Sequence, residues 1–572
     1  MHGEGRVEKM QATEWIVNGI PEGVRAGSGD DLPFILRVLL AQRGITEEDE
    51  LDAFLRPRLQ NLGDPFELPE MEVAVERILR AVDEGEPVCI FGDYDVDGIT
   101  SVTILRSLLV SYGLDPQTFI PVRGEEGYGL SDAALQRCLA VEVKPSLLIT
   151  VDCGTASGPQ IERLGEQDID VIVVDHHETG EAGRPPAVAV VNPKLGDDYG
   201  YLCSAGVVFK LAHALLKTRR LENVDLREFL DLVAVATIAD IVPLLGENRL
   251  LVRHGLRRLP GTPNHGLRAL MEVSGMNGRA SSADVGFRIG PRINAAGRMD
   301  APEDALAALM TDSEETAVRI AEQLDAYNRQ RQKHEQDMYE EALAQLQEGF
   351  DEDEDPVIVV GSRRWHPGVV GIAASRLMRY YHKPAFVISF DEEGLGKGSG
   401  RSIEGVSLVE AIDSCRAVLV AGGGHHMAAG ISLHEDRLGE FRAAFSDFVL
   451  THTSAEERKP RISIDAEVPF EDLSLDFLQS YELLQPFGPG NPQPVFMSRE
   501  VWLTDSPRRL KNRHLRLSLR QGLQERDAMY FGAGDRDLPD PPWDVAFTID
   551  RNVFRGRTSL QISVREIRAA ER

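Results

Sequence analysis

Cysteine is scarce in this chain. Five residues of 572 (Cys89, Cys138, Cys153, Cys203 and Cys415) are scattered, odd in number and contain no C-x-x-C pair. That argues against a disulfide framework or a zinc finger, and for thiols kept reduced in the cytoplasm. No run of about 18 apolar residues exists, so no membrane span is expected. The opening residues, MHGEGRVEKMQATEW, lack the apolar core of a secretory leader. Positive charge is also short: 92 Asp and Glu stand against 62 Lys and Arg, a formal net charge of −30. That balance argues against a generally basic nucleic-acid-binding surface, although local patches, not sums, decide contacts. One patch stands apart. RRLKNRHLRLSLR, residues 508–520, carries six Lys or Arg and no acid. It reads either as a track for phosphates or as a strand pair with solvated faces.

The length exceeds what one hydrophobic core holds and suggests roughly three or four domains. Residues 1–80 read as a helical lead-in, with LRVLLAQRGI and MEVAVERILRAVDEG in helical periodicity. Residues 81–310 repeat strand, turn and helix. PVCIF, SLLITV and DVIVV are the continuous β-branched runs of a parallel sheet covered on both faces, giving a doubly wound α/β domain. Residues 311–355 hold a segment free of Gly and Pro over 312–347, then the acidic loop EGFDEDEDP. The polar faces of this long helix suggest a connector rather than a core element. A second α/β unit, 356–455, contains PVIVVGS, KPAFVISF and AVLVAGGGHHMAAG. In 456–572 short alternating strands (RISIDAEV, LRLSLR, AFTID, SLQISVREI) point to a small β-barrel, with a sandwich as the alternative.

Chemistry concentrates where strands end. CIFGDYDVDG, LLITVDCG and VIVVDHH each close an apolar strand with acid or imidazole, and VAVATIADIVPL places Asp240 after an apolar helical run. Ligands of an open parallel sheet bind at the carboxyl ends of its strands. Asp95, Asp97, Asp152, Asp175, His176 and His177 are therefore expected to converge on one crevice. Singly, each has a plainer reading: an Asp after a strand caps the next helix, and a loop His-His faces water. Four such signals together favour convergence. Carboxylates forced together, as Asp93, Asp95 and Asp97 are, raise each other's pKa and need a cation. A mixed carboxylate and imidazole set suits Mn²⁺ or Mg²⁺, and a shared aspartate holds two ions roughly 3.5–4 Å apart.

DYDVDG, VDCG, DHH and ATIADIVPL, in this order, resemble the four motifs of the DHH phosphoesterase superfamily. RRWHPGVVGIAASRL, GKGSGRS and GGGHHMAAG resemble its associated DHHA1 domain. Over residues 80–570, barrel included, the chain is similar to the bacterial single-strand-specific 5′→3′ DNA exonucleases of that superfamily. The resemblance implies a DHH parallel-sheet domain and a DHHA1 α/β domain joined by the long helix, with a C-terminal OB-like β-barrel. It implies a hydrolase that degrades single-stranded DNA to mononucleotides in recombination and repair. Asp95 and Asp152 match ligands of a first ion; Asp97, Asp152, His176 and Asp240 match ligands of a second, with Asp152 bridging. Asp93 and Asp175 would orient these ligands. Many members have a histidine where Phe91 stands, which leaves the first ion fewer protein ligands.

The same resemblance gives His177 a contact with the scissile phosphate, as charge donor or proton source. Arg292 and Arg298 are candidates for clamping phosphate oxygens, with salt bridges to local acids as the alternative. Arg123, Ser399 and Arg401 match a 5′-phosphate pocket, the glycines of GKGSGRS serving as a flexible turn whose N–H groups approach phosphate. His425 falls in a glycine–histidine phosphate-binding turn. His366 is a candidate DNA contact, with burial beside Trp365 as the alternative. Tyr530, Phe531 and Phe554 are available for base stacking on the barrel, or for its core. The implied partners are single-stranded DNA with a 5′ end, a single-strand-binding protein and a helicase; the implied state is a monomer away from membranes. Rival readings are a phosphodiesterase for small substrates and a non-catalytic replication scaffold.

Overall fold

Continuous apolar runs produce the first sheet. Val88–Gly92, Leu147–Val151 and Asp170–Val174 are buried almost throughout, as strands covered on both faces must be. The structure, a computed structural model, describes residues 13–24, 32–180, 183–276, 278–299, 301–511, 513–534, 536–554 and 556–570. It divides into one unit formed by Gly63–Val242 and His254–Pro460 and another formed by Thr13–Leu62, Pro243–Arg253 and Arg461–Arg572.

In the first unit five parallel strands lie in the order Gln117–Phe119, Val88–Gly92, Leu147–Val151, Asp170–Val174, Ala189–Val191. Numbered along the chain this order is 2-1-3-4-5. The winding therefore reverses between Val88–Gly92 and Leu147–Val151, and a crevice opens at their carboxyl ends. The acid-bearing turns leave from those ends. The DHHA1-like sheet of the same unit pairs Ile358–Ser362 in parallel with Ala385–Phe390, then adds Leu395–Arg401, Ala428–His434 and Ala421–Gly424 antiparallel.

GKGSGRS lies on a strand, not in the flexible turn that its glycines suggest. Gly396, Gly398 and Gly400 alternate because core side chains occupy their Cβ positions: Phe390, Ile388 and Phe386 carbons lie 2.5, 2.7 and 2.4 Å away. The period-2 alternation then turns Lys397, Ser399 and Arg401 to the opposite face.

The long helix runs Glu314–Gln347, about 50 Å at 1.5 Å per residue. Its expected role as connector needs one correction. Ala317, Ile320, Ala321 and Leu324 are buried near one end, while Met338, Tyr339, Ala342 and Leu346 join the core that includes Ile358, Val360 and Leu377. Both ends carry apolar stripes, which the many charges between them obscure.

In the second unit Phe496–Leu503 pairs with both Trp543–Phe554 and His514–Gln521; with Gln524–Tyr530 and Arg557–Ala569 this closes a five-stranded ring. Closure removes the sheet edges. Trp543, Phe547 and Ile562 fill it, and Leu36, Leu39 and Leu40 of the helix Phe34–Gln42 join that core. The lead-in also holds a strand, Glu14–Val17, paired in parallel with Arg461–Ile464. Its residues 1–12 and 25–31 lie outside the described ones. No described helix is long and apolar enough to cross a membrane.

Candidate metal centre

Each acid is aimed by its local backbone. Asp95 does cap a helix, as the plainer reading held: its Oδ1 accepts from the N–H groups of Asp97 (2.8 Å) and Gly98 (3.1 Å) at the start of Val96–Ser111. Its carboxylate also meets those of Asp93 and Asp152, with one oxygen of each within 4.8 Å of the others. Asp97 is held at a second helix start. Ser204 and Ala205 N–H groups donate to its two oxygens at 2.6 and 2.8 Å, where the dipole of Ser204–Thr218 favours negative charge. Asp152 has φ +62° and Ile241, directly after Asp240, has φ +61°. Such left-handed conformations in non-glycine residues cost energy and cluster at functional sites.

His176 stands at the centre. Its Nε2 lies 3.3 Å from Asp152 Oδ1, 3.6 Å from Asp240 Oδ2 and 3.7 Å from Asp97 Oδ2. Burial, then the neighbouring His177, lowers its pKa to about 4, so at neutral pH it is an uncharged ligand-type imidazole. Burial and the nearby Asp95 raise Asp97 to about 7; burial, Asp97 and Asp95 raise Asp240 to about 9. Burial, then Asp97, drives Asp152 well above the carboxylate range, and burial with Asp95 does the same to Asp93.

Asp93 Oδ1, His176 Nε2 and Asp240 Oδ2 are buried and make no hydrogen bond. Buried polar atoms are normally satisfied, so orphaned acceptors converging at one place fit a cation that completes them. The donor set, carboxylate with one or two imidazoles, fits Mn²⁺ or Mg²⁺. Asp152 belongs both to the group with Asp93 and Asp95 and to the group with His176 and His177.

His177 is different. Its Nδ1 is 2.8 Å from Asp175 Oδ1, and Tyr128 Oη is 3.0 Å from its Nε2. Burial alone would depress it, but the Asp175 carboxylate outweighs that and raises it to about 9. Burial likewise opposes the Asp175 charge, yet His177 and Thr155 hold that carboxyl below its ordinary range. The cage thus pairs an uncharged imidazole with a charged one. Phe91 is fully buried and stacks on Phe119 with centroids 5.0 Å apart, a core role.

The predicted phosphate residues separate. Ser399 Oγ accepts from Arg401 Nη1 at 2.9 Å. Both sit where the helix Val370–Tyr381 begins: a Cβ on Gly371 would lie 3.0 Å from Ser399 Oγ and 3.1 Å from Arg401 Nη2. Helix starts attract anions. Burial, then Arg123, lowers the pKa of Arg401; burial, then Arg123 and Arg331, lowers Arg298 to about 10. Arg298 thus feels the charges of Arg123, Arg331 and Arg401, which gather around it. Like cations gathered together call for an anion, the mirror image of the aspartate cage. Arg298 also donates to Gly368 O at 2.7 Å, and Arg123 lies over the Tyr94 ring at 5.5 Å. Arg292 takes the salt-bridge alternative instead, bound to Asp325 at 2.8 Å. His366 accepts from Gly368 N–H and stacks on His334, centroids 5.5 Å apart. His425 is exposed beyond Ala421–Gly424.

Sequence reasoning missed Tyr128, Arg331 and Asn294. Tyr128 lies five residues after Arg123 but carries no charge to single it out. Arg331 hides among the charges of a polar helix. Asn294 Oδ1 accepts from Val96 N–H, bracing the acidic turn from a distant segment, with no local signal. On the barrel, Tyr530 is buried, Phe531 is exposed, and the Phe554 side chain lies outside those described.

Comparison with known proteins agrees with this geometry. Models of the DHH family N-terminal domain, the DHHA1 domain and the RecJ OB domain match residues 87–237, 354–451 and 464–566. The single-stranded-DNA-specific exonuclease RecJ of Bacillus subtilis is 35% identical over 543 residues, covering 93% of this chain and 68% of that protein. Its counterpart in Dickeya dadantii is 35% identical, covering 94% and 96%. The crystal structure of RecJ in complex with Mn²⁺ from Thermus thermophilus superposes with a TM-score of 0.83 at 31% identity, over 98% of this chain and 80% of that one. The Mg²⁺ complex from the same source gives 0.77 at 30%, over 98% and 79%.

Proposed function

Because the chain belongs to the RecJ family of single-stranded-DNA-specific exonucleases, we propose that its cage hydrolyses the phosphodiester bonds of single-stranded DNA from the 5′ end, releasing mononucleotides. The observation that carries this reading is the convergence of Asp97, Asp152, His176 and Asp240 with orphaned acceptors at its centre. Asp93, Asp95 and Asp152 would hold one divalent ion, and Asp97, His176, Asp240 and the shared Asp152 a second. Such ions activate water and offset phosphate charge. His177, kept charged and oriented by Asp175, donates its Nε2–H to the scissile phosphate, exchanging the Tyr128 hydroxyl for a phosphate oxygen when the strand binds. Arg292, tied to Asp325, orients the segment that carries Arg298.

The guanidinium cluster with Ser399 supports the sense of the reaction. A terminal phosphate carries more charge than an internal one, so Arg123, Arg298 and Arg401 favour it. Exposed Phe531, beside His514, offers a stacking surface next to the basic strand. His366 and His425 complete the contacts with the strand. Scattered, unpaired cysteines fit the cytoplasm as location, and likeness to RecJ exonucleases fits a role in repair and recombination. A monomer working with a single-strand-binding protein and a helicase fits that role. A time course on 5′- and 3′-labelled single strands in Mn²⁺, Mg²⁺ or chelator tests the reading. Metal-dependent release of the 5′ label first supports it; release of the 3′ label first, or none, rejects it.

Two outcomes probe individual groups. Arg401→Ala lowers the preference for 5′-phosphorylated over 5′-hydroxyl strands by about tenfold, the loss of one charge-assisted contact; an unchanged ratio removes Arg401 from the pocket. Asp175→Asn lowers kcat by about 10–100-fold, as loss of an orienting partner does. It also moves the alkaline limb of the pH–rate profile. The charged form of His177 is lost as pH rises through about 9, and without the Asp175 charge that limb shifts to lower pH. A limb that stays in place contradicts a charged His177.

A further inference from the structure

The segment Val285–Ile289 winds as a π-turn, a rare form that recurs at functional sites. Val285 and Ile289 are fully buried and anchor it, while Phe287 between them is 80% exposed. The turn packs on the end of the helix that delivers Asp240: a Cβ on Gly286 would lie 4.0 Å from Ile238, and one on Gly290 3.4 Å from Ala239. The helix that follows, Gly290–Arg298, contributes Asn294 to the acidic turn, and a Cβ on Gly297 would lie 2.9 Å from Tyr94 O. One continuous segment therefore presents a solvent-facing phenyl ring, a brace for the aspartates and a cluster guanidinium. A second apolar side chain, Ile241, is 69% exposed directly after Asp240, in the left-handed conformation described above. Two exposed apolar groups thus flank the end of the Asp240 helix. A lone exposed hydrophobe needs no explanation. A well-anchored segment that holds an aromatic ring in water beside a ligand helix does.

We propose that Phe287 is a base-stacking platform at the rim of the cage, engaging one nucleobase of the strand during cleavage. This rests on the exonuclease reading above. Every nucleobase has a π-face, so the contact binds single strands without regard to sequence and excludes paired bases, whose faces are already covered. The ring discriminates single from double strand at the point of chemistry, by means separate from the barrel.

The test is single-turnover release of the 5′-terminal nucleotide by the full chain in Mn²⁺, on intact strands and on strands with one abasic residue placed at successive positions. Phe287→Ala and Phe287→Leu raise the half-saturating enzyme concentration roughly ten- to hundredfold on intact strands, while Phe287→Tyr stays near the unaltered protein. With the abasic residue at the stacked position, all four proteins converge. Equal losses at every abasic position, no loss in Phe287→Ala, or unaltered behaviour of Phe287→Leu overturns the proposal. If the unaltered protein releases no nucleotide, the exonuclease reading fails first and takes the platform with it.

Discussion

Asp240→Ala abolishes strand degradation, lowering kcat by at least about a thousandfold, while circular dichroism and the chelator-treated melting curve show an intact fold. The size follows from what is lost. An ion at a phosphoryl centre contributes several kcal/mol of transition-state stabilisation, and each 1.36 kcal/mol is tenfold in rate. Asp240 is the cleanest position to test, because its Oδ2 is buried without a hydrogen bond. Asp97→Ala is expected to lose as much activity, and some stability as well. Its carboxylate also satisfies the Ser204 and Ala205 N–H groups at a helix start, a contact worth roughly 0.5–2 kcal/mol. Degradation rates of Asp240→Ala within tenfold of the unaltered protein would remove Asp240 from the ligand set.

Adding Mn²⁺ to the ion-free protein raises its Tm, by an amount equal to about 2.7 kcal/mol at an ion concentration near 100 times Kd. Asp240→Asn reverses the pattern. It retains the shape but takes up no proton on folding, as Asp240 must at neutral pH, so the ion-free variant melts above the ion-free unaltered protein and gains little from Mn²⁺. The pH dependence has a definite sign. Asp240, raised from an ordinary 3.8 to about 9 in the folded ion-free state, binds a proton more tightly folded than unfolded across that window. Its contribution to ion-free stability therefore declines as pH rises from about 4 to about 9. Asp240→Asn flattens that decline. Differential scanning calorimetry across pH, with and without Mn²⁺, measures all three effects. An ion-free Asp240→Asn that melts lower than the unaltered protein would show that repulsion at this position is small.

The convergence of acids and imidazoles was legible in the sequence because most of these residues follow strands. An apolar run ending in acid is a local pattern, and the 2-1-3-4-5 strand order converts several local patterns into one crevice. The α/β, α/β and barrel succession was legible for the same reason: period and apolar runs are local. What the sequence hid is non-local. GKGSGRS looks like a turn because glycine is the turn residue, yet here glycine makes room for Phe386, Ile388 and Phe390 from a neighbouring strand. Arg292 and Arg298 look alike in sequence; only the fold shows one paired with Asp325 and the other gathered with Arg123, Arg331 and Arg401. Phe91 illustrates the converse. Its position beside the acidic turn invites a role in the site, but an inward-facing strand residue meets the sheet's core, and Phe119 takes its face.

Anomalous diffraction at the manganese edge, from crystals of the full chain soaked in Mn²⁺, tests the aspartate–histidine cage most directly. A peak within bonding distance of His176 Nε2 and of carboxylate oxygens of Asp97, Asp152 and Asp240, absent from Asp240→Ala crystals, is the predicted result. Manganese bound elsewhere while those four side chains turn to protein hydrogen-bond partners would contradict it.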